Sequence, residues 1–200
     1  MSLSAEQERM VLDGAVSLAS SQKLSSITLD QLAKASGVGA FDIVRHYRSK
    51  ERILEAVLDR ELELISGSVP PPELRFTGES LRDEIETIAR SMLEQYRSRL
   101  PFMAKVLTEA MKNAEVGEMF YRKFIMRGRF LFAEFLKVRK ERGELRDNVD
   151  EEAAAAIYLA ALTSVFLVAE VVGGKRVEPL DEGRLVRSLT DVFLNGVCRP

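Results

Sequence analysis

Side chains that do covalent or metal chemistry are scarce in this chain. It has one histidine, His46, and one cysteine, Cys198, so no intrachain disulfide and no HExxH or CxxC metal spacing is available. A Ser-His-Asp relay would have to use His46, and nothing in the sequence places a serine and an aspartate around it. Gly173-Gly174-Lys175-Arg176 resembles the end of a phosphate loop, but Ala169 stands where the first glycine belongs and Arg176 where Ser or Thr is required. A helix cap followed by a solvated turn explains it. The paired carboxylates Glu151-Glu152 and Asp181-Glu182 fall at expected helix N-termini, where the dipole favours negative charge. No catalytic residue, metal site or cofactor is expected, and the chain does not read as an enzyme.

What remains is a short basic cluster. Arg45, Arg48, Lys50 and Arg52 surround a single acid, Glu51, with His46 among them. Elsewhere charge is balanced: Lys and Arg number 29 against 31 Asp and Glu, so no global field favours nucleic acid. Residues 1–66 carry eight Lys or Arg and ten Asp or Glu. A basic patch on such a unit suits phosphate contact, because released counterions supply much of the affinity. A solvated helix face is the plain alternative.

The elements that must carry this cluster are helical. Ser4-Ala5-Glu6-Gln7 and Thr28-Leu29-Asp30-Gln31 both fit a capping box, the second with Ile27 and Leu32 placed as a hydrophobic staple. The spacing predicts a helix over 28–35, a turn over 36–38 in which Gly37 takes the left-handed conformation, and a helix over 39–47. Ser49 then caps a fourth helix. Three consecutive prolines in Gly67 to Pro72 end it. Beyond lie helices expected near 79–99, 101–113, 116–142, 150–172 and 181–197. The fold class is therefore all-α: a three-helix unit with a helix-turn-helix at 1–66, a Pro/Gly-containing linker at 67–78, and a helical bundle at 79–200.

Two short helices around a glycine turn occur in many proteins, but here their residues form a longer pattern. Thr28, Gln31-Leu32-Ala33 and Ser36-Gly37-Val38, followed by His46-Tyr47, Ser49-Lys50-Glu51 and Leu54, resemble the N-terminal signature of TetR-type transcriptional regulators. The resemblance covers about residues 27 to 54. It implies a homodimeric regulator, more often a repressor than an activator, that binds a palindromic site in double-stranded DNA. It also implies a C-terminal body that binds a small-molecule effector and pairs through its last two helices. Carried over by position, Gly39, Ala40, Phe41, Val44 and Arg45 would face the major groove, and Thr28, His46 and Lys50 would touch the backbone.

Three positions depart from that pattern. The family usually has glycine at 41, threonine or serine at 42 and tyrosine at 44, where this chain has Phe41, Asp42 and Val44. Aspartate repels phosphate and valine donates no hydrogen bond. Asp42 admits three readings: a local cap on its own helix, an acceptor for cytosine N4, or a sign of a degenerate reading head. On the last, the chain would be a helical dimer that binds a small molecule or a protein.

The body is rich in Met and aromatic residues. Most belong to the core, but Met92, Tyr96, Phe102, Met103, Met111, Phe120 and Phe124 are candidates to line a pocket for a largely apolar effector. Ala153 to Ala169 holds 17 residues without a charge. It is shorter than the roughly 20 strongly apolar residues of a membrane span and contains Tyr158, Thr163 and Ser164, so no membrane partner is expected. With the helix at 181–197 it offers a dimer surface, for which the expected residues are Tyr158, Ala161, Leu162, Val165, Phe166, Leu189 and Phe193. The N-terminus lacks the features of a signal peptide, and a cytoplasmic location is expected.

Overall fold

The structure, a computed structural model, describes residues 3–22, 26–66 and 80–198. Helices follow in the order α1 (Ala5–Ser21), α2 (Leu29–Ser36), α3 (Ala40–Tyr47), α4 (Lys50–Ser66), α5 (Leu81–Ser98), α6 (Leu100–Ala110) and α7 (Ala114–Phe120). A π-helical turn (Tyr121–Met126) leads into α8 (Arg127–Glu141), then α9 (Glu151–Glu170), a 3-10 turn (Gly174–Arg176) and α10 (Glu182–Val197). Among the described residues there is no strand, only an isolated antiparallel bridge from Leu145 to Cys198. The class is all-α, with an N-terminal helix-turn-helix and a C-terminal helical domain.

Both capping boxes form. Ser4 Oγ accepts the Gln7 N–H at 3.2 Å while Gln7 Oε1 accepts the Ser4 N–H at 3.0 Å. Thr28 and Gln31 repeat the exchange at 3.2 and 2.9 Å. Each box satisfies two N–H groups that a helix start leaves without acceptors. Asp150 and Asp181 cap α9 and α10 in the same spirit, each accepting a backbone N–H at 2.9 Å. The single helix expected over 116–142 is instead α7, the π turn and α8. Residues 121–126 read YRKFIM, with no proline or glycine, so nothing in their pattern marks the wider turn.

The chain divides into two compact units, Met1–Leu64 with Pro101–Lys123, and Ile65–Leu100 with Phe124–Pro200. The linker expected at 67–78 lies outside the described residues. In the first unit Val11, Leu32, Ile43, Ile53 and Val57 are buried together in the core. Gly14 lets α1 approach the end of α2, since a Cβ there would stand 3.3 Å from the Ser36 backbone nitrogen. Lys105 Nζ donates to the Gln22 carbonyl at 3.1 Å and Lys123 pairs with Asp59. These bonds tie residues 101–123 to α1 and α4.

In the second unit α8 and α10 pack against α9. Rings dominate the core: Tyr158 lies 5.2 Å from Phe132 and 4.9 Å from Phe193 between centroids, and its hydroxyl shares a 3.1 Å hydrogen bond with Thr190. Arg139 is buried. It pairs with buried Glu84 of α5, meets both Glu144 oxygens at 2.9 Å, and covers the Phe135 ring. Removing one member of such a pair strands a charge, a loss of about 3–5 kcal/mol.

This core corrects part of the expected dimer surface. Tyr158, Leu162, Phe166 and Phe193 are buried within their own chain, so they present nothing to a partner. Of the others, Val165 is exposed and Ala161 and Leu189 are half-buried. Because α9 is apolar nearly all round, its period does not tell which face turns inward. The face left outward carries Ile157, Ala160, Ser164 and Val168, and α10 adds Val192, 73% exposed. Among the described residues α9 is also the helix long and apolar enough to cross a membrane. Its inner face is engaged by α8 and α10.

The expected pocket residues separate. Met111 is 88% exposed and lines no interior space. Phe102, Met103 and Phe120 are buried in the first unit, whereas Met92, Tyr96 and Phe124 belong to the second. There Tyr96 stands 5.6 Å from Phe124 and 5.7 Å from Phe166, and its hydroxyl bonds Thr163 at 3.3 Å. Burial pushes that hydroxyl up to about 12, so it is held as a neutral O–H.

Candidate nucleic-acid interface

The turn between α2 and α3 is fixed by two residues. Gly37 closes α2 at φ 70°, in the left-handed region that a side chain disfavours. Buried Ser36 donates its hydroxyl to the Leu32 carbonyl at 2.7 Å and accepts the Val38 N–H at 3.3 Å. The chain enters α3 at Gly39, and Ile43 and Tyr47 turn into the core. Their opposites, Phe41, Val44 and Arg45, face outward. Arg48 ends α3 at φ 67°, its N–H bonded to the Val44 carbonyl at 2.7 Å. A non-glycine residue in that region costs roughly 1–2 kcal/mol. Ser49 Oγ then accepts the Arg52 N–H at 3.3 Å and α4 begins. The Glu51 carboxyl is held below its ordinary range by the backbone N–H and the Ser49 hydroxyl.

Thr28 and Lys50 both line one small apolar cleft, with Ile27, Leu29 and Ile53. Thr28 Oγ1 accepts the Gln31 N–H, which leaves its proton to donate to a phosphate oxygen. Gly39 and Ala40 form the entry of α3, where the unsatisfied N–H groups of a helix start attract anions.

His46 points elsewhere. Its Nδ1 accepts the Leu3 N–H at 3.2 Å, so the proton of the neutral ring sits on Nε2, 3.9 Å from Glu8 Oε1. The ring also meets Tyr47 edge-on at 4.6 Å. His46 thus fastens the segment before α1 to α3, a contact that sequence spacing across 43 residues gives no means to foresee.

Asp42 does not cap its helix. The start of α3 has no side-chain cap bond, and the carboxylate lies 3.5 Å from Arg45 Nη2. Arg45 in turn stands over the Phe41 ring, 5.7 Å from guanidinium carbon to centroid. The i,i+3 and i,i+4 spacings of these three residues were visible in the sequence and are the signal that would have found the cluster.

A family model described as AefR-like transcriptional repressor, C-terminal domain, matches residues 79–196. No curated protein sequence matches the chain. Among solved structures, one assigned to the TetR family of regulators, from Mesorhizobium loti MAFF303099, superposes with a TM-score of 0.81 at 16% identity, over 98% of this chain and 100% of that one. The flavonoid-responsive regulator FrrA gives 0.80 at 20% identity, covering 98% of each chain. The fatty acid degradation regulator FadR from Bacillus halodurans gives 0.73 at 16%, covering 97% of each. At these identities the likeness is one of fold. Combined with the family match over most of the chain, it identifies the protein as a member of the TetR family of transcriptional regulators, a family of DNA-binding proteins rather than enzymes.

Proposed function

We propose that the protein is a homodimeric repressor that binds a palindromic operator through α3 and releases it when an apolar effector occupies the C-terminal domain. The observation that carries this reading is the outward face of α3 beside the Thr28 and Lys50 cleft. It joins a groove-reading helix to two groups suited to phosphate. Residues 1–66 act as the reading head, 67–78 as the linker and 79–200 as the sensing and pairing body. Gly39, Ala40, Phe41, Asp42, Val44 and Arg45 meet the groove. Thr28 and Lys50 meet the backbone, and His46 acts as a positioning residue. The cytoplasm is where such a regulator meets its DNA.

The effector site centres on Met92, Tyr96 and Phe124, where rings and a neutral hydroxyl suit an apolar molecule bearing one polar group. The names of FrrA and FadR, flavonoid-responsive and fatty acid degradation regulators, support that class. The dimer forms on Ile157, Ala160, Ser164 and Val168 of α9 with Val192 of α10. An effector releases DNA only by binding the DNA-incompetent arrangement more tightly.

Selection of bound sites from random duplex DNA tests the reading, which expects a palindromic consensus. Asp42 and Val44 favour one rival, a ligand- or protein-binding dimer whose reading head has degenerated. Salt-sensitive binding without a consensus would support that rival.

A further inference from the structure

Phe41 has no structural reason to be where it is. Its ring is 75% exposed on the first turn of α3, while Ile43 and Tyr47 supply that helix with its buried face. Four residues on, the Arg45 guanidinium lies over the ring, and Asp42 Oδ1 approaches Arg45 Nη2 at 3.5 Å. The guanidinium thus has both a ring and a carboxylate as neighbours, at the end of the helix that would enter the groove first.

Each member of this group has a distinct consequence in a major groove. Thymine is the base that presents a methyl group there, and an apolar ring is suited to cover it. Guanine presents the N7 and O6 pair that an arginine fork meets with two hydrogen bonds. Asp42 offsets the charge of Arg45, which weakens its pull toward phosphates in general, and by holding one side of the fork it limits the side-chain freedom lost on binding.

We propose that Phe41, Asp42 and Arg45 form one pre-organised reading unit that recognises a thymine next to a guanine in each operator half-site, with Phe41 on the thymine methyl and Arg45 on the guanine edge. This rests on the reading of α3 as the groove helix. Asp42 is then a specificity residue: it suppresses binding to DNA at large and leaves the matched step favoured.

The test uses the full-length protein and the duplex recovered by selection. Replacing the contacted thymines by deoxyuridine removes only the methyl group. At roughly 0.8 kcal/mol for a buried methyl, binding should weaken about fourfold per half-site. Phe41→Ala should bind both duplexes alike, and Phe41→Leu should keep part of the difference; the exposure of the ring predicts unchanged melting for both. Replacing the guanine by 7-deazaguanine should weaken wild type and leave Arg45→Ala unaffected. Asp42→Ala should bind unrelated DNA more tightly, with a steeper salt dependence. Equal binding of thymine and deoxyuridine duplexes by wild type, or equal sensitivity in Phe41→Ala, overturns the proposal while leaving the regulator reading intact. Absence of any consensus overturns both.

Discussion

Lys50 opens α4 and lines the same cleft as Thr28; on the proposed reading its charge acts on the DNA backbone and carries no base preference. Lys50→Ala should weaken binding to every duplex sequence by a similar factor and flatten the plot of log affinity against log salt by about one ion. An unchanged slope in equilibrium titrations would remove Lys50 from the interface. A second residue-scale expectation concerns pH. Burial pushes the hydroxyls of Tyr96 and Tyr158 up to about 12, each partly offset by its bond to Thr163 or Thr190, from an ordinary value of 10. Above pH 10 the unfolded chain loses these protons while the folded chain keeps them, so their contribution to folding stability is constant below about pH 10 and falls toward 12. Urea unfolding across that range measures it, and Tyr158→Phe should make the fall shallower.

At the scale of the element, α3 ends at Arg48 in a left-handed conformation, where glycine relieves strain but brings no charge. Arg48→Gly should raise the unfolding free energy by about 1 kcal/mol and lower affinity for DNA. A gain in both would show that the arginine serves no DNA contact. Much of this scale was legible in the sequence, because capping boxes and a glycine turn are local chemistry: Ser4, Thr28 and Gly37 do what their types predict. The break at Tyr121–Met126 was not, since a π turn arises where packing shifts the register and leaves no mark in residue type. The exposed face of α3 was legible in position and opaque in detail. Asp42 admits three readings from its type and position, and only the structure sets its carboxylate 3.5 Å from Arg45 Nη2.

For the whole molecule, an outward face bearing Ile157 and Val168 matters more than any single contact. In one chain it exposes β-branched side chains to water, and small residues such as Ala160 and Ser164 permit a second helix to come close. Val168→Asp should give a monomer by sedimentation, with α-helical content retained. Its affinity for a palindromic site should fall by orders of magnitude, because two heads on one duplex bind at a high effective concentration. A dimer that persists would move the interface elsewhere. Tyr158, Leu162, Phe166 and Phe193, expected at a partner's surface, are core of their own chain, since an evenly apolar helix has no period to mark which face turns inward.

The bonded turn at Ser36 and Gly37 has a consequence for how such a protein changes over time. Its hydrogen bonds close within α2 and the turn, and α3 is fastened by buried Ile43 and Tyr47 and by the bond of His46 to the Leu3 N–H. Phe41, Val44 and Arg45 lie on the exposed side of the helix, and substitutions at solvent-facing positions of this kind alter stability by only about half a kcal/mol. On the proposed reading of α3, mutational drift can therefore rewrite the operator without risking the scaffold, and a regulator copied in a genome could acquire a new target in a few steps.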